Sequence, residues 1–166
     1  MVIRSEEKGD EQVIDQLLLD AFKDQPYSNN TENQMVQKLR QDNGVTLALV
    51  AGYKDEIIGY IAFSKIVIDN QLSDWEALAP VSVSPQWQNK GIGRQLIEEG
   101  LKILKGRLVS GCVLVGFPEY YKRFGFRTTN QLKVDGIPPE YFMVLPFNKS
   151  IPVGTVEFHS AFLSDN

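Results

Sequence analysis

The sequence predicts an α/β fold: a mixed, mostly antiparallel central sheet flanked by helices and opened by a splayed parallel pair. Three observations carry this expectation. Residues 46–84 hold three strand-like runs joined by the short polar turns Lys54-Asp55-Glu56 and Asp69-Asn70-Gln71, the pattern of consecutive antiparallel strands. Residues 81–117 read as strand, helix, strand, a right-handed crossover that makes its two strands parallel. Pro80 falls inside a strand, where it cannot donate to a ladder, so a bulge or an unpaired stretch is expected there.

Each element has its own signal. Residues 2–4 suit a short first strand. Val13, Ile14, Leu17, Leu18, Ala21 and Phe22 recur at helical spacing, and Pro26 closes that helix. Thr31-Glu32-Asn33-Gln34 has the form of a capping box ahead of a second helix through Met35, Val36 and Leu39, ended by Asn43-Gly44. Strands are expected at 46–53, 57–68 and 75–84. Ile92, Leu96, Ile97, Leu101 and Leu104 then form the apolar stripe of a helix ending near Gly106. Residues 109–117 are almost continuously apolar and predict a strand buried on both faces. A short helix follows Pro118 and stops at Gly125. Residues 142–146 and 155–162 suit two last strands, with a loop over 148–154.

The chain has 166 residues, which suits a single domain over 1–166 with one core. It carries 17 Lys plus Arg against 21 Asp plus Glu, a net charge of −4 with no basic block, so a nucleic-acid partner is not expected. There is one cysteine, Cys112, which excludes a disulfide within the chain and suits a reducing compartment. No apolar run has the length of a membrane span, and the first residues do not resemble a signal peptide. The expectation is a cytoplasmic protein with no membrane partner.

The chemistry concentrates after the third strand, in Val81-Ser82-Val83-Ser84-Pro85-Gln86-Trp87-Gln88-Asn89-Lys90-Gly91-Ile92-Gly93-Arg94. A strand, a Gly-containing loop and a helix in that order place free backbone N–H groups at a helix N-terminus. Such a row binds phosphate, because first-turn donors lack intrahelical partners and the dipole favours negative charge there. Gly91 and Gly93 carry no Cβ, so a diphosphate can come close.

Val83-x-Pro85-x-x-Gln88-x-x-Gly91-Ile92-Gly93 resembles the acetyl-CoA-binding motif of the GNAT N-acetyltransferase superfamily. Tyr120-Tyr121-Lys122-Arg123-Phe124-Gly125-Phe126 resembles that family's second motif, a Tyr followed four residues later by Gly-Phe. Within the family, Leu78-Ala79-Pro80-Val81-x-Val83 and the run from Gly116 to Phe126 look most like the YhbS-type branch. The matching motifs lie within 78–126, the motif-bearing core.

The resemblance implies a GNAT-like fold whose splayed strands form an acetyl-CoA cleft. It also implies acetyl transfer from acetyl-CoA, as co-substrate, directly to a primary amine of a small-molecule or peptide acceptor. The backbone of Gln88, Asn89, Lys90, Gly91, Ile92, Gly93 and Arg94 would hold the diphosphate. Arg94 and Lys90 either add their charge or are solvated. The backbones of Val81 and Val83 would pair with pantetheine as an added strand does, and an N–H beside Val81 would polarise the thioester carbonyl. Tyr121 matches the family's general acid, with Tyr120 as competitor; a phenol stays protonated at neutral pH and can protonate a thiolate.

The resemblance implies a water-activating carboxylate early on the central strand, where Glu76 stands and Asp74 shares its face; each reads more simply as a solvated strand-end residue, and a well-placed water without a dedicated base is the further alternative. Asp24 and Tyr27 fall where relatives line the acceptor cleft. Cys112 reads as a buried small hydrophobe and His159 as an exposed strand-end residue rather than a pocket residue. One Cys and one His do not suggest a metal site. A second functional class stays open, a non-catalytic acyl-CoA sensor or interaction module on the same scaffold. ATP and dinucleotide sites fit poorly, because the loop lacks Gly-Lys-Ser/Thr and Gly-x-Gly-x-x-Gly. Either a monomer or a homodimer paired through its C-terminal strands is compatible with the chain.

Overall fold

The sheet is built by alternation. In the computed structural model, which describes residues 1–148 and 150–163, strand β2 (Val45–Tyr53) turns Leu47, Leu49 and Ala51 to one core and Ala48 and Val50 to another. Successive side chains on a strand point to opposite faces, so one apolar run feeds two layers. Helices α1 (Glu11–Phe22) and α2 (Glu32–Gln41) cover one face through Ile14, Leu18 and Val36. Helix α3 (Ile92–Gly106) covers the other through Leu96, Ile97, Leu101 and Leu104.

Strand β1 (Val2–Ser5) pairs with β2, β2 with β3 (Glu56–Ile68), and β3 with β4 (Gln71–Val83), all antiparallel. The two hairpin turns, Lys54-Asp55 and Asp69-Asn70, each place both central residues at positive φ, the tight turn that matches strand twist. The second turn carries β4 back to Gln71, four residues earlier than the sequence suggests. Opposite Ile61 and Phe63, β4 presents Val81 and Leu78, so an extra residue bulges out around Ala79-Pro80, where the proline predicts it.

Strand β5 (Gly111–Val115) pairs parallel to β4, with Trp75 opposite Gly111, Glu76 opposite Cys112 and Ala77 opposite Val113. Beyond Ala77 the two strands part. β4 stays with β3, while β5 continues against β7 (Phe142–Pro146). This is the splayed parallel pair, and the gap between its arms is the site. It also shortens β5: Val115 and Phe117, expected inside a buried strand, have lost their neighbour and are largely exposed.

Three other local readings need correction. Thr31 precedes α2, but its hydroxyl donates to Asn29 Oδ1 at 2.5 Å and caps nothing, so no capping box forms. The last strand, β8 (Gly154–Glu157), is shorter than expected, and Ser160–Phe162 is a 3₁₀ turn instead. β8 pairs within its own chain, with the end of β3 and with the two-residue β6 (Leu132–Lys133), which the sequence does not reveal. In the loop expected over 148–154, Lys149 lies outside the described residues. Among the described residues no helix is long and apolar enough to cross a membrane.

Candidate active site

The loop after β4 passes through a 3₁₀ turn at Pro85–Trp87 and reaches Gly91, whose φ of 82° lies in the left-handed region. That conformation turns the chain into α3 and costs a residue with a Cβ about 1–2 kcal/mol. The first helical bond runs from the Gln95 N–H to the Gly91 carbonyl at 3.1 Å. The N–H groups from Asn89 to Arg94 donate to no acceptor among the described residues. Gln88 departs from the expectation. Its N–H donates to the Pro85 carbonyl at 3.4 Å and its side-chain Nε2 to the Val83 carbonyl at 3.1 Å, so it braces the loop.

A cleft of about 580 Å³ opens over this row. Val81, Val83, Gln88, Asn89, Gly91, Ile92, Gly93 and Arg94 all line it; Lys90, the remaining expected loop residue, does not. Val81 and Val83 present backbone to it for a geometric reason. The Ser84 N–H bonds the Ile58 carbonyl at 2.9 Å, and in this register Ser82 also faces β3. Backbone polar groups alternate sides along an antiparallel strand, so those of Val81 and Val83 face away from β3, into the gap left by β5.

The far wall comes from the turn after β5. Helix α4 (Pro118–Tyr121) brings Tyr120 and Tyr121 to the cleft. Burial, reinforced by the neighbouring phenols of Tyr120 and Tyr27, pushes the Tyr121 hydroxyl up to about 12, which keeps it a proton donor across the neutral range. Tyr120 is also pushed up by burial, against the pull of Arg123 and Arg94. Arg123 stacks 4.5 Å from the centre of the Tyr120 ring and donates Nε to the Tyr120 carbonyl at 2.8 Å. With Arg94, paired to Glu98 at 2.8 Å one helical turn on, it supplies positive charge at the loop end. The sequence reading missed Arg123, and its place inside the Tyr-to-Gly-Phe motif was the available signal.

Other candidates fall elsewhere. Glu76 is buried on the α3 face, accepts a hydrogen bond from the Thr46 hydroxyl and lines no part of the cleft. Asp74 accepts from the Ser110 hydroxyl at 2.5 Å. Cys112 is fully buried, and burial followed by the nearby Glu76 charge drives its thiol well up, so no thiolate nucleophile is available. His159 is partly buried rather than exposed. Its Nδ1 accepts from the Ala161 N–H at 2.9 Å and its Nε2 lies 3.4 Å from Asp42.

A second cavity, of about 520 Å³, lies on the other side of the gap and shares Phe22, Tyr27, Val81 and Tyr121 with the first. Tyr27 thus reaches both, whereas Asp24 lines neither.

Comparison with known proteins gives this geometry its family. Residues 44–128 match the acetyltransferase (GNAT) domain. The uncharacterized N-acetyltransferase YhbS of Escherichia coli K12 is 36% identical over 127 residues, covering 76% of this chain and 73% of YhbS. The chain belongs to the GNAT N-acetyltransferase family. Two solved GNAT structures share its whole architecture. A Brucella melitensis GNAT acetyltransferase in complex with acetyl-CoA is 40% identical, with a TM-score of 0.88 over 97% of both chains. Escherichia coli YhbS in complex with CoA is 31% identical, with a TM-score of 0.89 over 99% of this chain and 93% of that one.

Proposed function

We propose that this GNAT enzyme transfers the acetyl group of acetyl-CoA directly to a primary amine. The observation that carries the reading is one continuous cleft. In it the unpartnered N–H groups of Asn89 and of Gly91 to Arg94 lead along the outward backbone of Val83 and Val81 to the Tyr121 phenol. The acetyl-CoA and CoA complexes of the two similar proteins support the same ligand here.

Each part has a task. The loop N–H groups, with Arg94 and Arg123 beside them, take the diphosphate; Gly91 leaves open space where a side chain would stand. The backbone of Val83 and Val81 pairs with pantetheine, and a Val81 N–H aimed at the thioester oxygen stabilises the charge that develops as the amine attacks. The amine nitrogen forms the new C–N bond, the C–S bond breaks, and the departing sulfur takes the Tyr121 proton. The nitrogen sheds one proton through water, and that proton restores the phenol. Glu76 has no part, because it lies buried outside the cleft; water serves as base.

Calorimetric titration with acetyl-CoA, using ATP as control, tests the first half; Tyr121→Phe tests the second. We expect saturable binding of acetyl-CoA alone, and a Tyr121→Phe variant that binds normally but turns over about 10²-fold or more slowly. Binding without turnover of any amine would leave a sensor in place of an enzyme.

A further inference from the structure

The second cavity is where an acceptor would meet the acetyl group, because it joins the cleft at Val81 and Tyr121. Among the described residues that form it there is no Asp, Glu, Lys, Arg or His. The wall is aromatic instead. Phe22 meets Tyr27 edge-on at 6.5 Å, Tyr27 meets Phe117 at 5.8 Å, and Phe117 meets Tyr141 at 6.1 Å. These rings stand in water: Tyr27 is 63% exposed, Phe117 57% and Tyr141 39%. A contiguous apolar surface left uncovered beside a reaction centre marks a binding face.

We infer that the acceptor is a primary amine carried on an aromatic or alkyl body, bound through that body against Tyr27, Phe117 and Tyr141. The inference rests on the acetyl-transfer reading above and adds the substrate class. Charge decides against the alternatives. A polyamine or aminoglycoside brings further ammonium groups that need carboxylates, and a free amino acid brings a carboxylate that needs a cation. The lining offers no charged side chain to pair with either. The cavity volume lies within the range that holds a small organic molecule.

The test is acetyl-CoA-dependent release of free thiol with 2-phenylethylamine, ethylamine, spermidine and glycine as acceptors, together with acetyl-CoA titration of the same samples. We expect kcat/KM for 2-phenylethylamine to exceed that for ethylamine and spermidine by about a hundredfold, the effect of burying one ring. Phe117→Ala and Tyr141→Leu should each remove about tenfold of that preference while the Kd for acetyl-CoA holds. Both side chains are well exposed, so neither truncation should unfold the chain. Phe117→Glu should shift preference towards spermidine. Turnover that favours spermidine or glycine, or selectivity unmoved by all three variants, would overturn the substrate class and leave acetyl transfer standing. Failure to bind acetyl-CoA would remove both.

Discussion

The Tyr121 ring lies directly on the backbone of Gly116: a Cβ added to that glycine would stand 2.5 Å from Cε2. Real carbon atoms do not approach so closely, so the acid can occupy its place only because position 116 has no side chain. The Gly116 N–H is itself tied to the Tyr141 carbonyl at 2.9 Å, which keeps the turn from yielding. Gly116→Ala should therefore displace the phenol and lower kcat at least tenfold, since small misplacements of a catalytic group are costly. The diphosphate loop is untouched, so acetyl-CoA affinity should change little. Steady-state kinetics beside calorimetry checks this; an unchanged kcat would mean that Tyr121 is not the acid.

The pH behaviour follows from the same burial. The neutral phenol is the useful form, and its hydroxyl is pushed up to about 12 from an ordinary value near 10. Ionisation of Tyr121 should therefore impose no descending limb on kcat below about pH 10. The sign for stability is fixed too. Between the two values the folded chain holds a proton that the unfolded chain has lost. The contribution is thus complete below about pH 10 and is lost as pH rises through about 12. A pH–rate profile in wild type and Tyr121→Phe decides the kinetic half. A descending limb near pH 9 that vanishes in the variant would contradict it.

What the sequence made legible was mostly local chemistry. Pro80 announced its bulge because a residue without an N–H cannot continue a ladder. Gly91-Ile92-Gly93 announced the strand-to-helix loop because the left-handed turn and the free N–H row are properties of adjacent residues. What stayed hidden depended on distant partners. Glu76, which the sequence leaves open between a water-activating carboxylate and a solvated strand end, is held in the interior by Thr46, thirty positions earlier. Val115 and Phe117 read as core strand, and only the departure of β4 exposes them. β6 is two residues long and exists through its pairing with β8.

Gly91 separates affinity from stability. Its φ of 82° disfavours a side chain, yet a Cβ there would meet nothing within 4 Å. Gly91→Val should lower stability by about 1–2 kcal/mol through backbone strain alone. Because the open space is where a diphosphate would come close, the same change should weaken acetyl-CoA binding at least tenfold. Urea denaturation and calorimetry on one preparation read both effects. Full affinity in a folded variant would sink the assignment of this loop to the diphosphate.

Arg40 of α2 reaches Glu6 with Nη2 at 2.5 Å and Nε at 3.1 Å, and its Nη1 lies 3.7 Å from Asp15 of α1. All three side chains are mostly buried. Burial opposes the charge on Arg40, but the Glu6 charge and hydrogen bond outweigh it and hold the guanidinium firmly protonated. Such a pair is asymmetric: removing one partner strands the other. Arg40→Met should cost about 3 kcal/mol, and adding Glu6→Gln should recover a good part of it, because the stranded carboxylate is the main source of the loss. Arg40→Lys should not rescue, since a point charge cannot make both contacts to Glu6. A double-mutant cycle by urea denaturation measures the coupling, and a value near zero would show that α2 is held to the segment after β1 by packing alone.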